Sequence, residues 1–171
     1  KVPVVALDAP TQLRIGRQAL TVLTRVLAVA APQEGCALLL GSRGLEGVLD
    51  LRWIWPCVNV WEPASERRRR FRIDPREQLL AQKWARERGL ELLGSAHSHP
   101  TSEAVPSASD RRLSALPALM VILGALAAGA VIFNFGKKVL MWRKFASLTP
   151  KISAGFNPLI SICRFPIFNL F

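Results

Sequence analysis

Along the first 124 residues, hydrophobic and polar positions follow two recurring periods, and each stretch predicts an element. Leu13 to Ile15 alternates as a short strand. From Arg17 to Ala30 the period becomes helical: Leu20, Leu23, Leu27 and Ala30 share one face, Arg17 and Arg25 fall among the polar positions, and Pro32 ends the run. "CALLLG", starting at Cys36, is an unbroken apolar run and predicts a buried strand, followed by a turn in "GSRGLEG". Val48 to Val60, rich in branched and aromatic side chains, predicts a strand interrupted at Pro56. "EPASERRRRFR" predicts a charged loop. The clearest helix lies in "DPREQLLAQKWARERG". Asp74 can cap it, Pro75 suits the first helical position, Glu77 completes a box-like cap and Gly89 can close the end. "LELLGSAHSH" predicts a strand, "PSASDRRLSAL" a helix entered at Pro106, and "ALMVILG" a central strand. The order predicts a single mixed α/β domain over residues 1–130.

After Ala130 the character changes. Residues 131–171 are built on Phe, Ile, Asn, Lys and Ser, carry six Lys/Arg and no acid, and form an atypical basic, apolar C-terminal tail whose elements the pattern does not place. Residues 113–135 carry no charge, long enough for a membrane span. Pro117, Gly124 and Gly129 punctuate that stretch, so it reads instead as a helix end, a strand and a loop, and membrane contact through the tail is not favoured. The chain has 171 residues, half of them hydrophobic, enough for a proper core. Its net charge of +11 bears on association rather than fold. The basic run from Glu66 to Arg72 reads as a solvated loop. It lacks the interleaved aromatics of a single-strand binder, so no specific nucleic acid is expected. Three widely spaced cysteines without a CxxC fit a reducing compartment, and "KVPVVALDAP" has no signal-peptide pattern, so a cytoplasmic location is expected. Nothing in the sequence sets the oligomeric state.

The candidate chemistry lies in "GSAHSHPTSEAVPSASD", which holds both histidines of the chain. On a strand, His97 and His99 project to one face while Ser98 points away. Pro100 ends the strand, and the following loop can fold back to bring Ser107 and Asp110, three apart at a helix start, to the same place. Two imidazoles and one carboxylate make a three-ligand zinc site with a fourth position for water, the layout of a catalytic zinc. Such a zinc lowers the pKa of its water to about 7, and a base must then take the proton. Glu34, in "APQEGCALLLG" before a buried strand, is out of place as a carboxylate unless it has such a task. Cys36, two residues on, has no evident base and reads as a buried structural thiol. The zinc-deaminase signatures HxE and PCxxC are absent.

"HSHPTSEAVPSASD" matches HxHP, six residues, then SxxD, and "PQEGCALLLG" supplies the upstream Glu. Over residues 11–125 the chain resembles the JAMM (MPN+) metallopeptidase family, in particular its small stand-alone bacterial members of the kind found in cyanobacteria. The resemblance implies a deaminase-like domain with a curved, mostly antiparallel sheet flanked by helices. It implies one zinc per chain on His97, His99 and Asp110, with Glu34 as general acid/base and Ser107 holding the oxyanion. It implies hydrolysis of peptide or isopeptide bonds after the C-terminal Gly-Gly of a ubiquitin-like or sulfur-carrier protein. An acidic ubiquitin-like face would suit the basic run. The reading from a different class is a metal-free MPN-like binding module that holds a protein partner with basic loops. Metal content separates the two.

Overall fold

The computed structural model describes residues 12–113, 118–124, 131–135, 138–142 and 168–169. Eight strands form one mixed sheet: β1 (Gln12–Ile15), β2 (Cys36–Arg43), β3 (Val48–Cys57), β4 (Glu91–His99), β5 (Leu119–Gly124), β6 (Val131–Phe135), β7 (Lys138–Trp142) and β8 (Phe168–Asn169). Their order is β1-β3-β2-β4-β5-β6-β7-β8. Among the described residues only β1–β3 and β4–β5 pair in parallel, so the sheet is mostly antiparallel, as expected. The helices are α1 (Arg17–Ala28), α2 (Pro75–Arg86) and α3 (Ala108–Leu113).

The two long helices cover opposite faces, and alternation along β2 shows why. Ala37 and Leu39 pack with Leu23 and Leu27 of α1, together with Leu49, Leu51, Leu93 and Val121. Leu38 and Leu40 pack with Ala81 and Ala85 of α2. An uninterrupted apolar run is the pattern of a strand buried on both sides, and β2 is central. Small alanines on α2 let that helix approach closely, while Trp84, Trp55 and Leu92 fill the flanks.

Local signals account for most element ends. Asp74 caps α2 by accepting the Arg76 N–H at 2.9 Å, with Pro75 in the first turn. Gly89, at φ 65°, closes it in the left-handed region that only glycine enters at little cost. Glu77 is used differently from the expected cap box: its carboxylate accepts Trp55 Nε1–H at 3.0 Å, tying α2 to β3. α1 ends at Ala28 rather than Ala30, and a turn carries the chain into β2. β2 extends through Ser42 and Arg43 into the expected turn. The expected break at Pro56 does not occur. β3 runs to Cys57, with Pro56 opposite Ala37. β1 lines the other side of β3 only at Val48–Leu51, so among the described residues Pro56 lies where no second ladder needs its missing N–H.

The sheet continues past residue 130: β6, β7 and β8 add to β5 by antiparallel pairing. The rest of the basic tail, including Cys163, lies outside the described residues. The uncharged stretch 113–135 supplies β5 and β6, and no helix among the described residues is long and apolar enough to cross a membrane.

Candidate metal centre

β4 carries both histidines into the middle of the sheet. His97 stands opposite Cys36 of β2 and Ile122 of β5, so these three side chains share a face. That face is the one away from α1, since neighbouring Ala37 and Ala96 pack on the α1 side. Ser98 points to the α1 side and acts as a fastener. Its Oγ donates to Leu27 O at 3.2 Å and accepts Gly35 N–H at 2.8 Å, and its N–H donates to Gly35 O at 3.0 Å. A Cβ on Gly35 would sit 2.5 Å from Leu27 O, so glycine is required where the chain passes the end of α1. The residue between the histidines therefore fixes the backbone that carries Glu34.

The three metal-type donors converge. His97 Nε2 and His99 Nε2 are 3.1 Å apart. Asp110 brings Oδ1 to 3.4 Å from His97 Nε2 and Oδ2 to 3.6 Å from His99 Nε2. The ligand atoms of this buried group all lie within 4.8 Å of one another, close enough to hold one metal ion. His99 is oriented from behind: its Nδ1 lies 2.9 Å from Glu103 O, an atom that can only accept. The proton is thus on Nδ1, and Nε2 offers a lone pair, the arrangement a metal-bound imidazole uses. His97 Nδ1 is buried without a hydrogen-bond partner.

Ser107 and Asp110 reach the site as a unit. Ser107 N–H donates to Asp110 Oδ2 at 2.7 Å, and Asp110 N–H donates to Ser107 Oγ at 3.2 Å. This is a capping box at the start of α3, so the spacing SxxD is dictated by helix initiation as well as by the site. Ser107 remains exposed while Asp110 is buried.

Electrostatics separates the groups. Burial pushes the Glu34 carboxyl up to about 7, eased by the nearby His99 and reinforced by Asp110. Burial also pushes Asp110 up, but the adjacent His97 and His99 rings outweigh it and hold that carboxyl well below the usual range. Burial lowers His97 despite Asp110. For His99 burial acts downward, and Asp110 and the Glu103 carbonyl carry it upward overall. Cys36 is 1% exposed, its thiol donates to Cys57 O at 3.6 Å, and burial pushes it up to about 12. It is a packed thiol rather than a nucleophile.

Sequence reasoning missed two residues. Asn59, buried, donates to Glu34 O (3.1 Å) and Arg70 O (2.8 Å) and accepts Trp61 N–H (3.0 Å) and Arg72 N–H (3.2 Å). Phe71 stacks on the His97 ring, with centroids 4.4 Å apart and planes at 19°. Glu34 N–H also donates to Arg67 O at 2.8 Å. The charged loop is therefore a pinned wall of the site, not merely a solvated excursion. The available signals were a lone amide between two valines and a lone aromatic in a run of arginines.

Comparison with known proteins follows the same outline. The family model for prokaryotic homologs of the JAB domain matches residues 17–138, a span that includes Glu34, His97, His99, Ser107 and Asp110. The chain is 30% identical over 92 residues to a desampylase of Haloferax volcanii, covering 54% of this chain and 62% of the relative. It thus spans less than two thirds of that curated relative's length. It is 32% identical over 111 residues to a "probable TtuB-protein conjugate cleaving protease" of Thermus thermophilus, covering 65% of this chain and 69% of the relative. The solution structure of a protein from Desulfitobacterium hafniense is similar at a TM-score of 0.62 and 28% identity, covering 77% of this chain and 89% of that one.

Proposed function

The chain belongs to the family of prokaryotic homologs of the JAB domain, and from that premise we propose that it is a zinc-dependent metallopeptidase of the JAMM type. It hydrolyses a peptide or isopeptide bond after the C-terminal Gly-Gly of a ubiquitin-like or sulfur-carrier protein. The observation that carries this reading is the convergence of His97, His99 and Asp110 beside the buried Glu34. The names of the two curated relatives, a desampylase and a conjugate-cleaving protease, support the substrate class.

The donor set fits a metal. Two imidazole nitrogens and a carboxylate match the ligand types of catalytic zinc, and the Glu103 carbonyl already fixes the His99 tautomer that ligation needs. Zinc bound by these residues supplies Lewis acidity toward water and toward the scissile carbonyl. Glu34 does the proton work. Its carboxylate takes a proton from the attacking water and returns it to the leaving amine. Ser107 Oγ, held beside Asp110 at the start of α3, is the hydroxyl that donates to the developing oxyanion. Ser98 and Asn59 hold the Glu34 backbone between β4 and the loop that follows β3, so the base does not drift when it ionises.

The test is metal content with activity. Purified protein supplied with zinc holds about one zinc per chain by mass spectrometry, His97→Ala loses it, and the loaded wild type cleaves a Gly-Gly-linked fusion. Folded wild-type protein that takes up no zinc would sink this reading and leave the metal-free binding module in its place.

A further inference from the structure

The run Arg67–Arg72 carries more positive charge than its folding uses. Arg67 turns inward, donating to Trp61 O at 2.7 Å and pairing with Glu62. Arg70 pairs with Glu66 at 3.3 Å and lies over the Trp61 ring at 5.1 Å. Arg72 donates to Val60 O at 3.1 Å. Arg68 and Arg69 are exposed, and among the described residues their side chains make no hydrogen bond or ion pair.

Their place is fixed from both sides. Arg67 O receives the Glu34 N–H, and Phe71 stacks on His97. Residues 68–70 bridge these two anchors. Consecutive Cα atoms are about 3.8 Å apart, so no residue of the bridge is more than two steps from a group that touches the site. Asn59 locks the bridge by binding the carbonyl of Arg70 and the N–H of Arg72. The backbone that carries these two exposed guanidinium groups is thereby anchored within two residues of contacts with the site.

We infer that Arg68 and Arg69 form a docking point for an acidic segment of the protein whose tail is cleaved. Paired arginines would add nothing, but unpaired ones on a pinned backbone attract carboxylates and raise the encounter rate. A protein partner is favoured over nucleic acid because the aromatics of the loop are already engaged. Phe71 faces His97 and Trp61 lies under Arg70, so neither offers a stacking face for a base. The inference rests on the peptidase reading for the identity of the partner, but its test reads binding alone.

The experiment uses the full chain loaded with zinc and a fluorescein-labelled peptide of four aspartates followed by Gly-Gly, with binding followed by anisotropy. R68E/R69E is expected to weaken binding roughly tenfold or more at low ionic strength, and about 1 M salt, where the Debye length is about 3 Å, should abolish it. The control is R17E/R25E, which makes the same change in net charge on α1, on the opposite face of the sheet. It should leave binding within about twofold. All four arginines are exposed, so both variants should melt with the wild type, and the melting curve is recorded for each. The inference is overturned if wild type does not bind the peptide, if the control weakens binding as much as R68E/R69E, or if a single-stranded oligothymidine binds the same arginines more tightly. Loss of cleavage with binding intact would count against the peptidase reading and not against the docking point.

Discussion

Two carboxylates at the site are almost equally buried, Glu34 at 5% exposure and Asp110 at 4%, yet they are driven in opposite directions. Glu34 enters from the segment between α1 and β2, and its neighbours bind its backbone. Asn59 takes its carbonyl, Arg67 O takes its N–H, and Ser98 clamps Gly35. Desolvation therefore dominates its side chain, which rises to about 7. Asp110 enters from the start of α3, and its carboxylate accepts the Ser107 N–H and lies against both imidazoles, 3.4 Å from His97 Nε2 and 3.6 Å from His99 Nε2. It stays ionised despite the same burial. Burial alone does not set the role of a buried acid. What matters is whether the surrounding donors are aimed at the backbone or at the side chain. One acid is thereby suited to move protons and the other to hold a cation.

The sharpest way to break this contrast is to remove each acid in turn. Asp110→Ala should lose both metal and turnover, reducing cleavage to background, because two imidazoles alone make a poor site and the capping box is lost with them. Glu34→Gln should keep the metal and lower kcat by about 100- to 10,000-fold, since only proton transfer is removed. Zinc analysis beside steady-state kinetics distinguishes the two, and a Glu34→Gln protein with wild-type kcat would remove Glu34 from its assigned role.

Asn59→Ala tests the claim that backbone anchoring isolates Glu34. It strips partners from the buried carbonyl of Glu34 and from the loop and should cost on the order of 2 kcal/mol in chemical denaturation. Zinc affinity should change less than stability, because Asn59 binds none of the three ligand side chains. A loss of zinc larger than the loss of stability would show that the loop, through Phe71 and His97, helps hold the metal.

The pH dependence of the metal-free protein is a finer test. Glu34 has a folded value of about 7 against an ordinary 4.5, so the folded state binds the proton more tightly than the unfolded one. That preference favours folding at acid pH, and the benefit is lost as pH rises from 4.5 through 7. Glu34→Gln should therefore match wild type near the acid end of this window and exceed it above pH 7, by an amount on the order of 3 kcal/mol. Denaturation curves at both ends check the sign, and equal stability throughout would mean that burial does not govern this carboxyl. The smallest effect belongs to Ser107→Ala, which removes one cap acceptor and should cost about 1 kcal/mol. If Ser107 also serves the oxyanion, kcat should fall while zinc content holds.

Much of the fold was legible because its signals are local. The face of α1 through Leu20, Leu23 and Leu27, the Asp74–Pro75 start of α2 and the double-sided apolar run of β2 each follow from a period or a cap. The readings that changed concern partners rather than periods. Pro56 stays in β3 because β1 stops at Leu51's level, and Glu77 leaves its cap position because Trp55 Nε1–H is within reach. At the site, the alternation of His97, Ser98 and His99 and the three-residue spacing of Ser107 and Asp110 were readable, because strand and helix geometry fix both.

By itself, then, the sequence determined which side chains share a face, since that depends only on backbone periods of two and 3.6 residues. It also marked Glu34 as a carboxylate in an apolar setting. Tertiary structure alone decided that Ser98 fastens Glu34's segment to β4, that Asn59 locks the arginine loop, and that Phe71 lies on His97. These contacts join residues dozens of positions apart or cross a loop with no period. They exist because β2 pairs with β4 and brings Gly35 beside Ser98, and that pairing is set by burying the sheet between α1 and α2, a property of the whole chain rather than of any segment in it.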